Sequence, residues 1–222
     1  MLSEKIAILT HVDKNFKVID NLVDDNRSSY AKANNHEYIK VSTEDVIQHK
    51  PINRELYWVK VIAILDTLKQ RKDIDWLLML DLDIIFNNNN IPLSFFTNCA
   101  NSKHELLMCA MESNMIKNYW NVNIGSIFFK NTEYVRHFLE EFLNIGKSFN
   151  FLHFEQPVLQ KILQNNFMSI LEKTGFFPEH SFNHGNEKTF LQHAMSSSTS
   201  NSNFEEAVSG KIEQLSRALK KK

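Results

Sequence analysis

The chain is poor in the residues that mark several common classes of protein. Its 222 residues include only two cysteines, five glycines and four prolines, and its formal net charge is −1. Two cysteines cannot build the disulfide framework of a small secreted protein. A nearly neutral chain offers no bulk field for nucleic acid or an anionic membrane. Because no stretch approaches the roughly 20 apolar residues of a membrane span or carries a signal-peptide core, we expect a cytoplasmic protein or an excised domain.

Apolar residues are plentiful by contrast, at 43% of the chain, and 17 of them are phenylalanines. This content and length suit one globular domain with a substantial core. The apolar patterns predict strands at 5–10, 36–41, 76–86, 105–110, 124–130 and 189–195, and helices at 16–34, 57–70, 133–145 and 156–164. This alternation favours an α/β fold with a mainly parallel sheet flanked by helices.

The last part of the chain differs from the rest in composition. Residues 196–203 are serine, threonine and asparagine, and 204–222 combine helical apolar spacing with a basic end. We therefore expect a domain over 1–195, followed by a polar loop and a C-terminal helix or tail. The basic end either makes weak contact with a membrane surface or is simply solvated, which is the commoner case.

Two aspartates interrupt the longest apolar run of the sequence. Asp81 and Asp83 lie within residues 76–86. Burying an unpaired carboxylate is costly, so two of them require a compensating cation or protons. On an extended segment, side chains two residues apart point to the same side, about 6–7 Å apart. That spacing allows both to approach one divalent ion, which prefers oxygen ligands; otherwise the pair merely ends the strand and begins a turn.

The position of these carboxylates along the expected sheet also indicates a binding site. In open α/β sheets, ligands bind beyond the carboxyl ends of the strands. Asp81 and Asp83 lie at such an end, and so does Thr10 at the end of the first strand.

Several segments, taken in order, resemble the motifs of one family. They are N-R-S-S-Y-A at 26–31, W-V-K at 58–60, W-L-L-M-L-D-L-D at 76–83, N-I-G-S at 123–126, E-Q at 155–156 and F-L-Q-H at 190–193. Together they resemble the nucleotide-sugar glycosyltransferases of the GT-A fold, in the family of fungal Golgi galactosyl- and mannosyltransferases and plant xyloglucan xylosyltransferases. Glu37 stands where that family often has glycine, and the glycine that ends its late H-F-x-G motif is missing.

The resemblance implies metal-dependent transfer of a sugar. The expected donor is a nucleoside diphosphate sugar, most often a UDP-sugar, and the acceptor is a glycan, a lipid or a protein. Mn²⁺, with Mg²⁺ as a substitute, would bridge the two phosphates as a Lewis acid. By the resemblance, Asp83 and His193 would bind the metal, and Asp81 would bind the metal or the ribose hydroxyls. The alternative for His193 is an ordinary polar residue at a strand end.

Five further residues are expected around the nucleotide. Thr10, His11 and Asp13 would border the base and ribose after the first strand. Tyr30 would stack on the base or pack in the core. Lys60 would lie near the phosphates or be solvated, as most helix lysines are.

The expected sugar pocket includes a carboxylate that acts on the reaction itself. Asn123 and Gly125 fit a loop that approaches the sugar, since glycine permits close backbone contact. Glu155 would take the acceptor proton in an inverting reaction or stabilise an oxocarbenium-like state in a retaining one, with Gln156 as its neighbour. The alternative for Glu155 is a helix N-terminal residue favoured by the dipole. Glu112 is the second candidate base.

Two other functions are compatible with parts of the pattern. A haloacid-dehalogenase-type phosphatase also has an apolar strand ending in D-x-D, but it needs a late acidic cluster, and no aspartate follows Asp83. A non-catalytic nucleotide-sugar-binding module would keep Thr10 and Lys60 but would need neither Asp83 nor His193.

Overall fold

Strands and helices alternate along the chain, and the computed structural model describes residues 4–49, 56–110, 122–148, 155–178, 181–182 and 189–193. The strands are β1 (Ile6–Val12), β2 (Glu37–Ser42), β3 (Trp76–Leu80), β4 (Ile84–Phe86), β5 (Leu106–Ala110), β6 (Val122–Lys130), β7 (Thr174–Phe177) and β8 (Leu191–His193). The helices are α1 (Lys17–Ala33), α2 (Thr43–His49), α3 (Leu56–Gln70), α4 (Ser94–Asn98), α5 (Glu133–Ser148), α6 (Glu155–Gln164) and α7 (Ile170–Lys173), with short 3₁₀ helices at Lys14–Phe16 and Phe167–Ser169.

Within these residues, six strands form one mixed sheet in the order β2-β1-β3-β6-β5-β7. β1 is parallel to β2 and β3, and β5 is parallel to β7, whereas β6 is antiparallel to both β3 and β5. This confirms the expected α/β fold with a mainly parallel sheet flanked by helices. The reversed direction of β6 matters for the site, because it places the beginning of β6 beside the end of β3, with Ser126 opposite Leu80.

The sheet is covered on both faces by apolar side chains. β1 and β3 are buried almost throughout, as expected for central strands that read as continuous apolar runs. One core cluster contains residues of α3, α5 and α6. A second cluster gathers aromatic residues, among them Phe86, Phe96, Phe128, Phe182 and Phe190.

Helix α3 is buried more completely than its sequence pattern suggests. The apolar stripe of Trp58, Ile62, Leu65 and Leu68 is buried, but so are Val59, Val61, Ala63 and Ile64. The reason is that α3 packs against the sheet and also against α2 and α5. Lys60 therefore lies on a helix with little access to solvent.

The prediction of one continuous strand over 76–86 is wrong. β3 ends at Leu80, and a turn separates it from β4, which leaves the main sheet and pairs with β8 in a two-stranded antiparallel sheet. The amide of Ile84 donates to the carbonyl of Asp81 at 3.2 Å and closes this turn. Four short elements were not predicted, because they are too short to show a clear period: α2, α4, α7 and β7.

Two predicted features lie outside the described residues, namely Glu112 and the tail at 196–222. Of the helices that the structure describes, none combines the length and the apolar character required to cross a membrane.

Gly146 allows α5 to approach α3 closely. A Cβ atom at this position would lie 2.7 Å from Cζ2 and Cζ3 of Trp58. Replacing a helical glycine by alanine usually stabilises a protein by about 1 kcal/mol. Here we expect Gly146→Ala to destabilise it by about 1–3 kcal/mol, because the added methyl group overpacks the core. Thermal unfolding followed by circular dichroism measures the change.

Asn144→Ala is the matched control, since Asn144 is exposed and lies in the same helix. Its melting temperature is expected to equal or exceed that of the wild type. A Gly146→Ala protein that melts above the wild type would contradict the proposed α3–α5 contact.

Candidate active site

The centre of the site is the turn from Asp81 to Ile84, directly after β3. The amide of Asp81 donates to the carbonyl of Gly125 at 2.7 Å, which joins the turn to β6. Because the segment is a turn, the expected extended geometry of Asp81 and Asp83 is wrong. The side chain of Asp81 bonds to Lys60, and that of Asp83 lies against His193.

Asp83 and His193 form a close pair, with Oδ1 of Asp83 3.0 Å from Nε2 of His193. The β4–β8 ladder sets this distance, because it places Ile84 opposite His193. Burial alone would lower the pKa of His193, but the nearby Asp83 carboxylate raises it above its ordinary value. Burial would likewise raise the pKa of Asp83, but the charge and hydrogen bond of His193, with a smaller effect of Arg27, hold it below its usual range.

Gly125 provides the space in which the His193 ring lies. A Cβ atom at Gly125 would be 2.6 Å from Cε1 and 3.0 Å from Nδ1 of His193. The side-chain oxygen of Asn123 accepts a hydrogen bond from the Gly125 amide at 2.8 Å. The lack of a side chain at Gly125 therefore leaves room for the His193 ring. This role is additional to the expected approach of Gly125 to a sugar.

Lys60 connects Asp81 to Glu155. Its Nζ atom lies 2.8 Å from Oδ1 of Asp81 and 2.5 Å from Oε1 of Glu155. The side chain of Lys60 is only 11% exposed and that of Glu155 only 5%, so Lys60 is not the solvated lysine of the alternative interpretation. Burial opposes the charge of Lys60, but the two carboxylates keep its pKa above the ordinary value.

Glu155 and Gln156 both lie in the first turn of α6. Glu155 is thus a helix N-terminal residue, as the alternative interpretation has it, and also a neighbour of Lys60. The side-chain oxygen of Gln156 accepts a hydrogen bond from the amide of Ile124 at 3.2 Å. Gln160, one turn later, donates to the carbonyl of Val122 at 3.1 Å. Two glutamines of α6 therefore hold the beginning of β6 in place.

A second group of polar residues lies around the carboxyl end of β1. Nε2 of His11 is 2.9 Å from the Thr43 hydroxyl, which donates to Oδ2 of Asp13 at 2.8 Å. Oδ1 of Asp13 accepts from the Asn15 amide at 2.9 Å. Burial, assisted by the charge of Lys60, lowers the pKa of His11 to about 4, so its imidazole is neutral at neutral pH. Thr43 was not predicted as a site residue, because its partners are distant in sequence.

Arg27 belongs to the N-R-S-S-Y-A segment at 26–31 but was not among the residues expected at the site. It is wholly buried, and its Nη1 donates to the Thr10 hydroxyl at 2.8 Å. Nε and Nη2 donate to the carbonyl of Ile84 at 2.9 and 2.8 Å, and Nη2 also donates to the carbonyl of Asp81 at 2.5 Å. A signal was present, because Arg27 falls at helical spacing on the buried stripe of α1, which contains Ile19, Val23, Tyr30 and Ala31.

Two of the residues expected at the nucleotide have fully buried side chains. Tyr30 is wholly buried, stacks on Phe86 with ring centroids 3.6 Å apart, and donates its hydroxyl to the carbonyl of Ile91 at 2.7 Å. It belongs to the core and has no exposed face on which a base could stack. The Thr10 side chain is also fully buried and faces Arg27.

The side chains of the three expected metal ligands do not converge on one point. Throughout the described ranges, no group of three or more His, Cys, Asp or Glu side chains is arranged to hold a metal ion. Asp83 and His193 are adjacent, whereas Asp81 bonds to Lys60. The donor set of two carboxylates and one imidazole nevertheless suits Mn²⁺, and Asp81 lies close enough to His193 to raise its pKa. The residues therefore fit a divalent cation if Asp81 turns away from Lys60.

The fold is similar to those of several solved glycosyltransferases. A glycosyltransferase involved in the glycosylation of the major capsid of PBCV-1 has a TM-score of 0.71 at 12% identity, over 96% of this chain and 99% of that chain. The galactosyltransferase LgtC, solved with donor and acceptor sugar analogs, has a TM-score of 0.54 at 12% identity, over 97% and 95%. GlyE of Streptococcus pneumoniae TIGR4 has a TM-score of 0.55 at 10% identity, over 99% and 63%. At these identities the likeness shows the GT-A fold.

Sequence comparison identifies the family within this fold. No curated protein sequence is significantly similar to the chain. The sequence model of the galactosyl transferase GMA12/MNN10 family matches residues 3–199, a range that includes Asp81, Glu155 and His193. The chain belongs to the galactosyl transferase GMA12/MNN10 family and is a glycosyltransferase of the GT-A fold.

Proposed function

We propose that this glycosyltransferase transfers a sugar from a UDP-sugar to a hydroxyl group of a glycan, with Mn²⁺ or Mg²⁺ bound by Asp81, Asp83 and His193. The observation that carries this proposal is the Asp83–His193 pair, 3.0 Å apart beside the carboxyl end of β3. GT-A glycosyltransferases commonly use a divalent metal, and the structural neighbour LgtC was solved with donor and acceptor sugar analogs. Both points support a metal-bound nucleotide sugar at this edge of the sheet.

Different residues of the site bind different parts of the donor. A divalent cation, when bound, supplies Lewis-acid stabilisation of the departing diphosphate. Lys60 is fully charged at neutral pH and already lies between two carboxylates, so release from Asp81 leaves its ammonium group available to an anionic phosphate. His11 and Asp13, held by Thr43, border the base and ribose beyond β1. Asn123, Gly125 and Gln156 border the sugar.

Glu155 is the carboxylate that acts at the reacting carbon. Its hydrogen bond to Lys60 orients it and places it one ammonium group away from Asp81. In an inverting reaction it accepts the proton of the acceptor hydroxyl, and in a retaining one it stabilises the positive charge that develops on the sugar. Glu112, the second candidate, lies outside the described residues.

We expect Asp83→Asn to lower Mn²⁺-dependent hydrolysis and transfer by about 100-fold or more, because several kcal/mol of charge stabilisation depend on the metal. The assay uses a panel of UDP- and GDP-sugars with Mn²⁺ and detects the released nucleotide. Asp25→Asn, on the exposed face of α1, is the control and retains wild-type activity. Full activity of Asp83→Asn would remove the metal assignment.

We expect Gly125→Ala to weaken Mn²⁺ binding about 10-fold, because the added methyl group displaces the His193 ring from Asp83. Electron paramagnetic resonance of free Mn²⁺ in the presence of UDP measures the affinity. Gly175→Ala is the matched control, since its Cβ would meet His104 and Leu107 around β7, away from the site. Unchanged Mn²⁺ affinity in Gly125→Ala would show that the imidazole position is not important for the metal.

We expect Glu155→Gln to lower kcat by about 100- to 10,000-fold, the range typical of a lost proton-transferring or charge-stabilising carboxylate, while UDP still binds. Steady-state kinetics and calorimetry separate the two effects. Glu133→Gln is an informative control, because Glu133 is the exposed first residue of α5 as Glu155 is the buried first residue of α6. Equal activity of Glu155→Gln and Glu133→Gln would show that Glu155 has no role in the reaction and serves only as a helix N-terminal residue.

A further inference from the structure

Arg27 connects three parts of the chain that are distant in sequence. Its guanidinium group donates to the carbonyls of Asp81 and Ile84, the first and last residues of the turn after β3, and to the hydroxyl of Thr10 on β1. A single planar group therefore fixes both ends of the turn to the neighbouring strand. The residue between them that faces the site is Asp83.

The partners of this buried cation are unusual. Within the described residues, all of its hydrogen bonds go to carbonyl or hydroxyl oxygens and none to a carboxylate. Burying a charge without a paired counter-ion is costly, and here the four hydrogen bonds to the turn and to Thr10 offset that cost. The guanidinium group is directed at the turn, since three of its four hydrogen bonds go to the carbonyls of Asp81 and Ile84.

We propose that Arg27 is a positioning residue of the metal site, which sets the geometry of the Asp81–Ile84 turn and thereby the affinity for Mn²⁺ without contacting metal or donor. This inference rests on the proposed function, because it assumes that Asp81 and Asp83 bind the cation. It adds a buried residue of α1 to the residues on which the reaction depends.

The chemistry of the guanidinium group explains why arginine occupies this position. Arginine presents five N–H donors in a rigid plane, whereas the lysine ammonium is a point charge on a flexible stem. Only the planar group can donate to the carbonyls of Asp81 and Ile84 and to Thr10 in a fixed geometry. Arg27→Lys therefore preserves the charge and removes the geometry.

The experiment compares the Mn²⁺ affinity of folded variants in the presence of UDP, measured by electron paramagnetic resonance. Residues that support metal ligands typically change affinity 10- to 100-fold when they are replaced. We expect a loss of about 10-fold or more in Arg27→Lys, with kcat at saturating Mn²⁺ approaching that of the wild type. Thr10→Val, which removes one acceptor of the guanidinium group, is the milder second variant and shows a smaller loss.

A second measurement does not depend on the metal. Hydrogen exchange of the Asp81 and Ile84 amides reports directly on the turn, because both amides donate within it or to β6. In the metal-free protein we expect these amides to exchange faster in Arg27→Lys and Thr10→Val than in the wild type.

Two controls separate positioning from general stability. Arg136→Lys makes the same substitution on α5, where the Arg136 side chain donates to Asn131. Leu68→Ala destabilises the core of α3 by a buried deletion away from the turn. Both variants are expected to retain wild-type Mn²⁺ affinity. Hydrogen exchange of their turn amides is expected to match that of the wild type once the change in global stability has been subtracted.

The outcomes distinguish this inference from the proposed function. A folded Arg27→Lys with wild-type Mn²⁺ affinity would overturn the inference. If Arg27→Lys does not fold, wild-type affinity and exchange in Thr10→Val would overturn it. A wild-type protein that binds no Mn²⁺ with UDP would contradict the proposed metal site, and the exchange of the turn amides would then still decide whether Arg27 holds the turn.

Discussion

Two buried cations bind the same aspartate, and the arrangement of the site depends on them. Lys60 bonds to the carboxylate of Asp81, and Arg27 bonds to its backbone carbonyl. Without these partners, carboxylates at the end of a buried strand would pay the full cost of desolvation. Lys60 offsets that cost for Asp81, His193 pairs with Asp83, and Arg27 fixes the backbone of the turn from which both carboxylates project. Lys60 extends the arrangement to Glu155, so the expected metal-binding and catalytic carboxylates share one counter-ion.

The direction of β6 brings the remaining residues to this point. A parallel strand beside β3 would place its beginning at the opposite edge of the sheet, whereas the antiparallel β6 places Gly125 next to Asp81. Gly125 then leaves room for the ring of His193, which β8 presents through its pairing with β4. The position of the His193 imidazole thus depends on the antiparallel direction of β6, on the lack of a side chain at Gly125 and on the pairing of β8 with β4.

Lys60 and His193 each lie against carboxylates of the site. The single ammonium group of Lys60 is shared between the carboxylates of Asp81 and Glu155, and His193 pairs with Asp83. A divalent cation and an anionic donor would bring opposite charges in equal measure, so Lys60 has an alternative partner when Asp81 is engaged.

The fold could largely be predicted from the sequence, because it depends on local patterns. The apolar runs of β1 and β3 and the helical period of α1 and α3 are visible in a short window. The break between β3 and β4 was predicted only as the alternative, in which the Asp pair ends the strand, because the run is apolar on both sides of a turn that depends on distant bonds from Arg27.

The site could be predicted only in part, for the same reason. Asp81, Asp83, Glu155 and His193 were selected by their chemistry and by resemblance, whereas their actual partners depend on tertiary contacts. The burial of Lys60 follows from α3 being covered by α2 and α5 as well as by the sheet, and no window of sequence shows that. The burial of Tyr30, in contrast, follows a local pattern, because this aromatic residue lies on the buried stripe of α1.

The central claim is that the carboxylates at the end of β3 bind a nucleotide through a divalent cation. Isothermal calorimetry of UDP binding, with Mn²⁺ and then with a chelator, tests it most directly. The account predicts binding that is at least about 10-fold tighter with Mn²⁺, because the ion links the diphosphate to Asp81, Asp83 and His193. Equal affinity with and without the metal would contradict it and would favour a nucleotide site that does not use these carboxylates.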